Sequence, residues 1–90
     1  MENIKNVIEV EGAATKKPHR LLDNPKGNKR CIIYIKSNQN EYASCVFIAV
    51  GLQAEKAIEN IEEGDKLKLF CEKKPRYYEV TKILINSERV

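Results

Sequence analysis

The alternation of apolar and polar residues along the chain predicts five β-strands. In Asn6–Gly12, Ile8 and Val10 fall on one face and glutamates on the other, a period of two that is typical of a strand with one exposed face. Gly12 is expected to end or sharply bend this strand. The same alternation, or a run of β-branched and aromatic residues, marks four more strands: Arg30–Ser37, Tyr42–Val50, Lys66–Cys71 and Tyr77–Asn86.

Two stretches depart from this pattern. Ala13–Lys29 contains Pro18 and Pro25 among other turn-forming residues, which predicts a long loop. After Gly51, apolar residues recur at helical spacing and predict a short helix before the next strand. The apolar residues of this predicted helix are Leu52, Ala54, Ala57, Ile58 and Ile61.

The order of these elements predicts the fold class. A chain of 90 residues has room for one modest core, so we expect residues 1–90 to form a single domain. Five short strands, with one helix between the third and the fourth, are the chain order of the OB-fold, a Greek-key barrel. We therefore predict an all-β, five-stranded OB-fold barrel. A different α+β sheet is compatible with the same order.

Strand alternation also predicts which side chains face the barrel interior and which face solvent. Arg30, Tyr34 and Lys36 are expected outside. Tyr42–Val50 is almost continuously apolar, which indicates burial on both faces for part of its length, through either a subunit contact or additional core packing. The residues expected inside are Cys31, Ile33, Ile35, Leu67, Leu69 and Cys71.

The charge is distributed unevenly, although the net charge is only +3. Two basic segments, Ala13–Val50 and Lys66–Lys82, flank the acidic segment Gly51–Asp65. If folding gathers the basic segments on one side of the molecule, the polarised surface would suit a polyanion such as nucleic acid.

Cysteine usage and hydropathy predict the compartment. Cys31, Cys45 and Cys71 are widely spaced among apolar residues, which indicates buried, reduced thiols in a cytoplasmic protein rather than disulfides or a zinc site. No apolar run is long enough to span a bilayer, and the first residues lack the layout of a signal peptide. We expect no association with a membrane.

Catalysis has no recognisable signature in the sequence. His19 is the only histidine, and no cysteine or carboxylate near it suggests a nucleophile–base pair. The glycines form no phosphate-binding pattern. The acidic residues around Glu62 are more typical of a solvated helix end than of a metal site. We therefore expect no enzymatic activity, no metal and no cofactor.

Cations close to tyrosines favour a binding function. Single-stranded nucleic acid is usually held by cations along its backbone and by aromatic rings that stack on its bases. The candidate nucleic-acid-binding residues are Lys16, Lys17, Arg20, Lys29, Arg30, Tyr34, Lys36, Tyr42, Lys73, Lys74, Arg76 and Tyr77.

Structural roles are open for some of these residues. Tyr42 can instead cap a hydrophobic edge, and lysines on strands are common devices against edge-to-edge aggregation. Tyr77 and Tyr78 are adjacent, so they should point to opposite faces, and we expect Tyr78 outside or at the barrel rim.

The order of motifs resembles the bacterial single-stranded DNA-binding protein (SSB) family and its relative, the primosomal protein PriB. The resemblance rests on NVIEVEG, RCIIYIK, YYEVTKILI and above all FIAVGLQAEKAIENIEEGDKLKLF, and it covers nearly all of the chain. It implies an OB-fold, sequence-tolerant binding of single-stranded DNA, with RNA also possible, and a homodimer or homotetramer that acts in DNA replication, repair or recombination. It also implies that DNA contacts the strand positions Tyr34, Lys36, Ser44 and Val46 and the hairpin positions Lys73, Lys74, Arg76 and Tyr77.

Departures from this family keep a second function open. The chain has no tryptophan for base stacking, and the hairpin between the last two strands is short. These departures predict weak, salt-sensitive DNA binding. The alternative is an OB-fold module for protein–protein contact in a replication or conjugation assembly with little DNA binding, favoured by the apolar outer positions Val46 and Ile48.

Overall fold

The computed structural model describes residues 7–37 and 45–86. These residues form a mostly β fold with one helix, and all strands belong to one seven-stranded sheet in the order β2-β3-β5-β7-β6-β1-β4. The elements are β1 (Val7–Ala14), β2 (His19–Leu21), β3 (Arg30–Ile33), β4 (Ile35–Ser37), β5 (Phe47–Val50), α1 (Leu52–Asn60), β6 (Lys66–Lys73) and β7 (Tyr78–Ile85).

The sheet curls back on itself and is barrel-like. β3 pairs with β5 near one side of the strand order, whereas β4 pairs with β1 at the other side. Only Tyr34 separates β3 from β4 along the chain. The two sides of the sheet must therefore meet at Tyr34. The pairings are antiparallel except for that of β5 with β7, which is parallel.

Gly12 allows β1 to lie close to β4. A Cβ atom at this position would lie 2.1 Å from the carbonyl oxygen of Lys36, so any other residue would collide with the backbone of β4. The strand does not end here, because Gly12 pairs with Ser37 on one side and with Leu67 on the other. β1 therefore continues to Ala14, two residues beyond its predicted end.

The predicted long loop contains a short strand, so the prediction of loop throughout Ala13–Lys29 is wrong. β2 pairs antiparallel with β3, with His19 opposite Ile32. The cause is a tight turn at Asn24, whose side-chain Oδ1 accepts hydrogen bonds from the backbone N–H groups of Lys26 and Asn28, both at 2.9 Å. This turn folds the preceding residues back beside β3.

The core follows the predicted alternation. Cys31, Ile33, Leu67, Leu69 and Cys71 are buried as predicted, and Ile35 packs against them. The remaining buried apolar residues of the described chain are Val10, Ala14, Phe47, Ala49, Ala54, Ala57, Ile61, Val80 and Ile83.

The helix buries a narrower face than its apolar spacing suggested. Ala54 and Ala57 are buried, whereas Leu52 is 77% exposed and Ile58 is 37% exposed. The helix ends at Asn60, and the N–H of Ile61 still donates to the carbonyl of Ala57.

No helix among residues 7–37 and 45–86 is long and apolar enough to cross a membrane.

β5 has one buried and one partly open face. Phe47 and Ala49 are buried in the core, Ile48 and Val50 are half-buried on the other face, and Val46 before them is 43% exposed. Within the described residues, burial on both faces is therefore incomplete.

Candidate nucleic-acid interface

Tyr34 and Val46 flank the last residue pair of the β3–β5 ladder. Ile33 pairs with Phe47, and both are buried. Tyr34 directly follows Ile33 and Val46 directly precedes Phe47, so alternation predicts that both side chains face away from the core. Tyr34 is half-buried and Val46 is exposed.

We refer to Tyr34, Val46 and Tyr77 as the tyrosine row. Tyr78, the first residue of β7, instead turns inward. The N–H of Tyr78 donates to the carbonyl of Val46 at 2.8 Å, and its ring stacks on Phe47 with centroids 5.7 Å apart. Of the two expected positions, outside or at the barrel rim, the outside one is wrong, because the pairing of Tyr78 with Phe47 places its ring against the core; Tyr78 is nevertheless only half-buried. Tyr77, one residue earlier, is half-buried and lines a surface groove.

This groove, of about 270 Å³, lies between the β6–β7 turn and the start of β5. Lys74 donates its backbone N–H to the carbonyl of Tyr77 at 2.8 Å, which closes the turn. The residues that line the groove are Cys45, Val46, Lys73, Lys74, Pro75, Arg76, Tyr77 and Tyr78.

The three cations of the turn differ in how far their charge is compensated. The ammonium group of Lys74 lies 3.6 Å from a carboxylate oxygen of Glu72 and 3.6 Å from one of Glu79. Lys73 and Arg76 are exposed and make no ion pair with any described residue. The positive charge that remains available to a ligand at this turn is therefore that of Lys73 and Arg76.

Lys16 brings a further cation to the tyrosine row. Its Nζ lies 4.3 Å from the centroid of the Tyr34 ring, a distance typical of a cation–π contact. The backbone N–H of Thr15 donates to the carbonyl of Tyr34 at 3.0 Å, which fixes this part of the loop beside the row. The interaction is worth about 0.5–1 kcal/mol at an exposed site, so a base can displace the lysine from the ring.

Two other loop lysines face the acidic segment Gly51–Asp65. Lys29 Nζ lies 3.1 Å from Glu55 Oε2, and Lys17 Nζ lies 3.6 Å from Glu62 Oε1. The fold therefore places lysines of Ala13–Lys29, here called the basic loop, against the acidic segment. A fully polarised surface would require the two to be separated. Both pairs remain exposed to solvent.

Arg20 and Arg30 lie along β2 and the start of β3. Arg20 pairs with Asp23 at 3.3 Å, and the guanidinium group of Arg30 donates to the carbonyl of Leu22 at 3.0 and 2.9 Å. A second surface groove, about 800 Å³ and open to solvent, is lined by residues 19–23. Arg20 therefore lines a different groove from the one at the β6–β7 turn, and Arg30 is linked to that groove through its hydrogen bonds to Leu22.

The remaining predicted positions lie apart or outside the described residues. Lys36 is exposed on β4, where its backbone pairs with Ala13. Tyr42 and Ser44 lie outside the described residues. The structure thus brings Lys16 to the ring of Tyr34. It separately brings Val46, Lys73, Lys74, Arg76 and Tyr77 to one groove.

Cys45 was missed as a site residue, because its apolar neighbours in the sequence predicted burial. It is half-buried and lines the groove, whereas Cys31 and Cys71 are buried, and all three cysteines are free thiols. Burial raises the pKa of Cys31 to about 11 and that of Cys71 to about 12.

Among the described residues, no group of three or more His, Cys, Asp or Glu residues is placed to hold a metal ion.

Comparison with protein-family models finds no family that matches this chain. A search of curated proteins finds no match either.

Proposed function

We propose that the chain is an OB-fold protein that binds single-stranded nucleic acid with little sequence preference. The connectivity supports the OB-fold assignment. If β3 and β4 count as one strand interrupted at Tyr34, and β2 as part of the first loop, five strands remain. Each then pairs with two neighbours in a closed circuit in which the third and fifth strands are parallel. In OB-folds, nucleic acid binds the second and third strands and the two loops beside them.

The observation that carries the proposed function is that cations accompany both Tyr34 and Tyr77. Tyr34 contacts Lys16, and Tyr77 lines a groove with Lys73 and Arg76, which make no ion pair with a described residue. Aromatic rings can stack on any base, and cations can track the phosphates regardless of sequence. This combination favours sequence-tolerant binding.

Charge compensation elsewhere supports this location. On β1 and β6, the ammonium group of Lys68 lies 3.2 Å from Glu9 and 3.3 Å from Glu11. Hydrogen bonds to these two glutamates raise the pKa of Lys68 and keep it charged, but its charge is already balanced. A polyanion therefore gains less from Lys68 than from Lys73 and Arg76, which have no ion-pair partner among residues 7–37 and 45–86.

The proposed mechanism is binding without catalysis. A base displaces Lys16 from the Tyr34 ring and stacks there, and the released ammonium group contacts a neighbouring phosphate. A second base stacks on Tyr77, while Lys73 and Arg76 neutralise the phosphates beside it. Each stacked base contributes about 1–3 kcal/mol, and each neutralised phosphate makes binding more sensitive to salt.

Salt titration of binding to fluorescently labelled oligo-dT tests this proposal. The wild-type protein should bind at low salt and lose affinity steeply as salt rises. The double variant Lys73→Glu/Arg76→Glu should bind at least tenfold more weakly and show a shallower salt dependence, because two phosphate contacts become repulsive.

The matched control is Lys66→Glu/Lys82→Glu, which changes the net charge equally. Both control residues are exposed, and Lys66 lies at the opposite end of β6 from Lys73. If the control variant loses as much affinity as the turn variant, binding depends on net charge alone and the proposed site is wrong.

A protein–protein module remains the second candidate, favoured by the outer apolar residues. Val46 is 43% exposed, and the half-buried Ile48 pairs with Ile32 on β3, so apolar side chains share this face. No binding to oligo-dT even at low salt would favour this candidate over the first.

A further inference from the structure

The backbone holds the basic loop against both ends of the acidic segment. At one end, the N–H of Gly51 donates to the carbonyl of Lys29 at 2.8 Å. At the other end, the N–H of Gly64 donates to the carbonyl of Ala14, and the N–H of Ala14 donates to the carbonyl of Asp65, both at 2.8 Å. These bonds keep the loop beside α1 whether or not its side chains form ion pairs.

An ion pair forms near each of these attachment points. Glu55, in the first turn of α1, contacts Lys29, and Glu62, just after the helix, contacts Lys17. The four side chains are 41–68% exposed, so an external anion can reach either lysine. Because an ammonium group paired with a carboxylate has much of its charge balanced, a phosphate must displace the carboxylate to gain the full contact.

We propose that Glu55 and Glu62 are internal competitors of nucleic-acid phosphates for Lys29 and Lys17, an inference that rests on the proposed function. Binding through these lysines breaks both ion pairs and leaves two carboxylates close to the phosphate backbone. The lost attraction and the new repulsion both oppose binding. The two glutamates thereby lower the affinity of the basic loop and favour rapid release of the strand.

The test is the double variant Glu55→Gln/Glu62→Gln, which removes both competitors while keeping side-chain size. Its control is Glu59→Gln/Glu63→Gln, which raises the net charge equally at two exposed glutamates that make no ion pair with a described residue. Relative to this control, the first variant should bind labelled oligo-dT about two- to tenfold more tightly at low salt, since each exposed ion pair contributes modestly.

A second background isolates the contact from the general effect of charge. In the variant Lys17→Gln/Lys29→Gln, Glu55 and Glu62 no longer have these lysines as partners. There, Glu55→Gln/Glu62→Gln and Glu59→Gln/Glu63→Gln should change affinity equally. A difference that survives in this background would overturn the inference, because it could not arise from the two ion pairs.

The outcomes separate this inference from the proposed function. If wild-type protein binds oligo-dT and both glutamate variants tighten binding equally, the internal competition is wrong while the binding function stands. If neither wild-type protein nor any variant binds at low salt, the proposed function itself is wrong and the competition with it.

Discussion

Individual residues decide how the strands approach one another and what they present to solvent. Tyr34 separates β3 from β4, the two consecutive strands through which the sheet closes on itself, and its ring contacts the ammonium group of Lys16. Gly12 contributes through its lack of a side chain, which lets the backbone of β4 lie close to β1. Both residues lie where β1 and β4 meet, so the geometry of this junction affects the proposed interface directly.

Gly12→Ala is expected to destabilise the fold by about 1–3 kcal/mol, the usual range for an added methyl group without space. The new Cβ would overlap the carbonyl of Lys36, and backbone cannot move aside as a flexible side chain can. Urea unfolding at neutral pH measures the change. Ala13→Ser is the control, because Ala13 is exposed and a substitution there should change stability by less than about 0.5 kcal/mol. Equal stability of the two variants would contradict the role assigned to Gly12.

At the scale of elements, local periodicity predicted most of the fold. Alternation correctly placed Leu67, Leu69 and Cys71 inside, because a period of two depends only on neighbouring residues. β2 was not predicted, because its pairing depends on the Asn24 turn and on a distant partner strand. For the same reason, the sequence indicated cations beside tyrosines but could not indicate that Lys16 covers Tyr34 or that Lys29 faces Glu55.

Asn24→Ala is expected to release β2 from β3 while leaving the rest of the sheet intact. The substitution removes the acceptor of two backbone hydrogen bonds, each worth about 0.5–1.5 kcal/mol. Hydrogen exchange should therefore show reduced protection of the amides that join β2 to β3, with the β6–β7 amides unchanged. Asn28→Ala retains the backbone N–H that Asn24 binds and should keep protection close to wild type. An equal loss of protection across all strands would show that the turn stabilises more than β2.

At the scale of the whole molecule, burial and charge follow different patterns. The core is continuous from β1 through β7 and has no buried charged residue among the described residues. The surface instead combines balanced charges, as around Lys68, with cations that make no ion pair within the described part of the chain, such as Lys73. Folding stability should therefore respond to the titration of buried thiols, and ligand binding to the surface charges.

Stability is expected to fall as pH rises above about 9. Burial raises the pKa of Cys31 to about 11 and that of Cys71 to about 12, whereas an unfolded chain releases these protons near the ordinary value of 9.0. Above that pH the unfolded state binds fewer protons than the folded state, so deprotonation favours unfolding. Between pH 8 and pH 10, each thiol should remove about 1 kcal/mol from the free energy of unfolding.

Urea unfolding at the two pH values measures this loss. Cys71→Ala should show a smaller decrease between pH 8 and pH 10 than wild type, although its stability at pH 8 is also lower because the substitution leaves a small cavity. An identical decrease in both proteins would mean that other groups cause the alkaline loss.

The pairing of β1 with β6 has a consequence for how the polypeptide reaches this structure. Val7 lies opposite Glu72, so the first strand obtains a long antiparallel neighbour only from the last third of the chain. Contacts so distant in sequence slow folding, because a large loop must close before they form. During synthesis on the ribosome, the edge of β1 that pairs with β6 therefore stays unpaired until β6 has emerged.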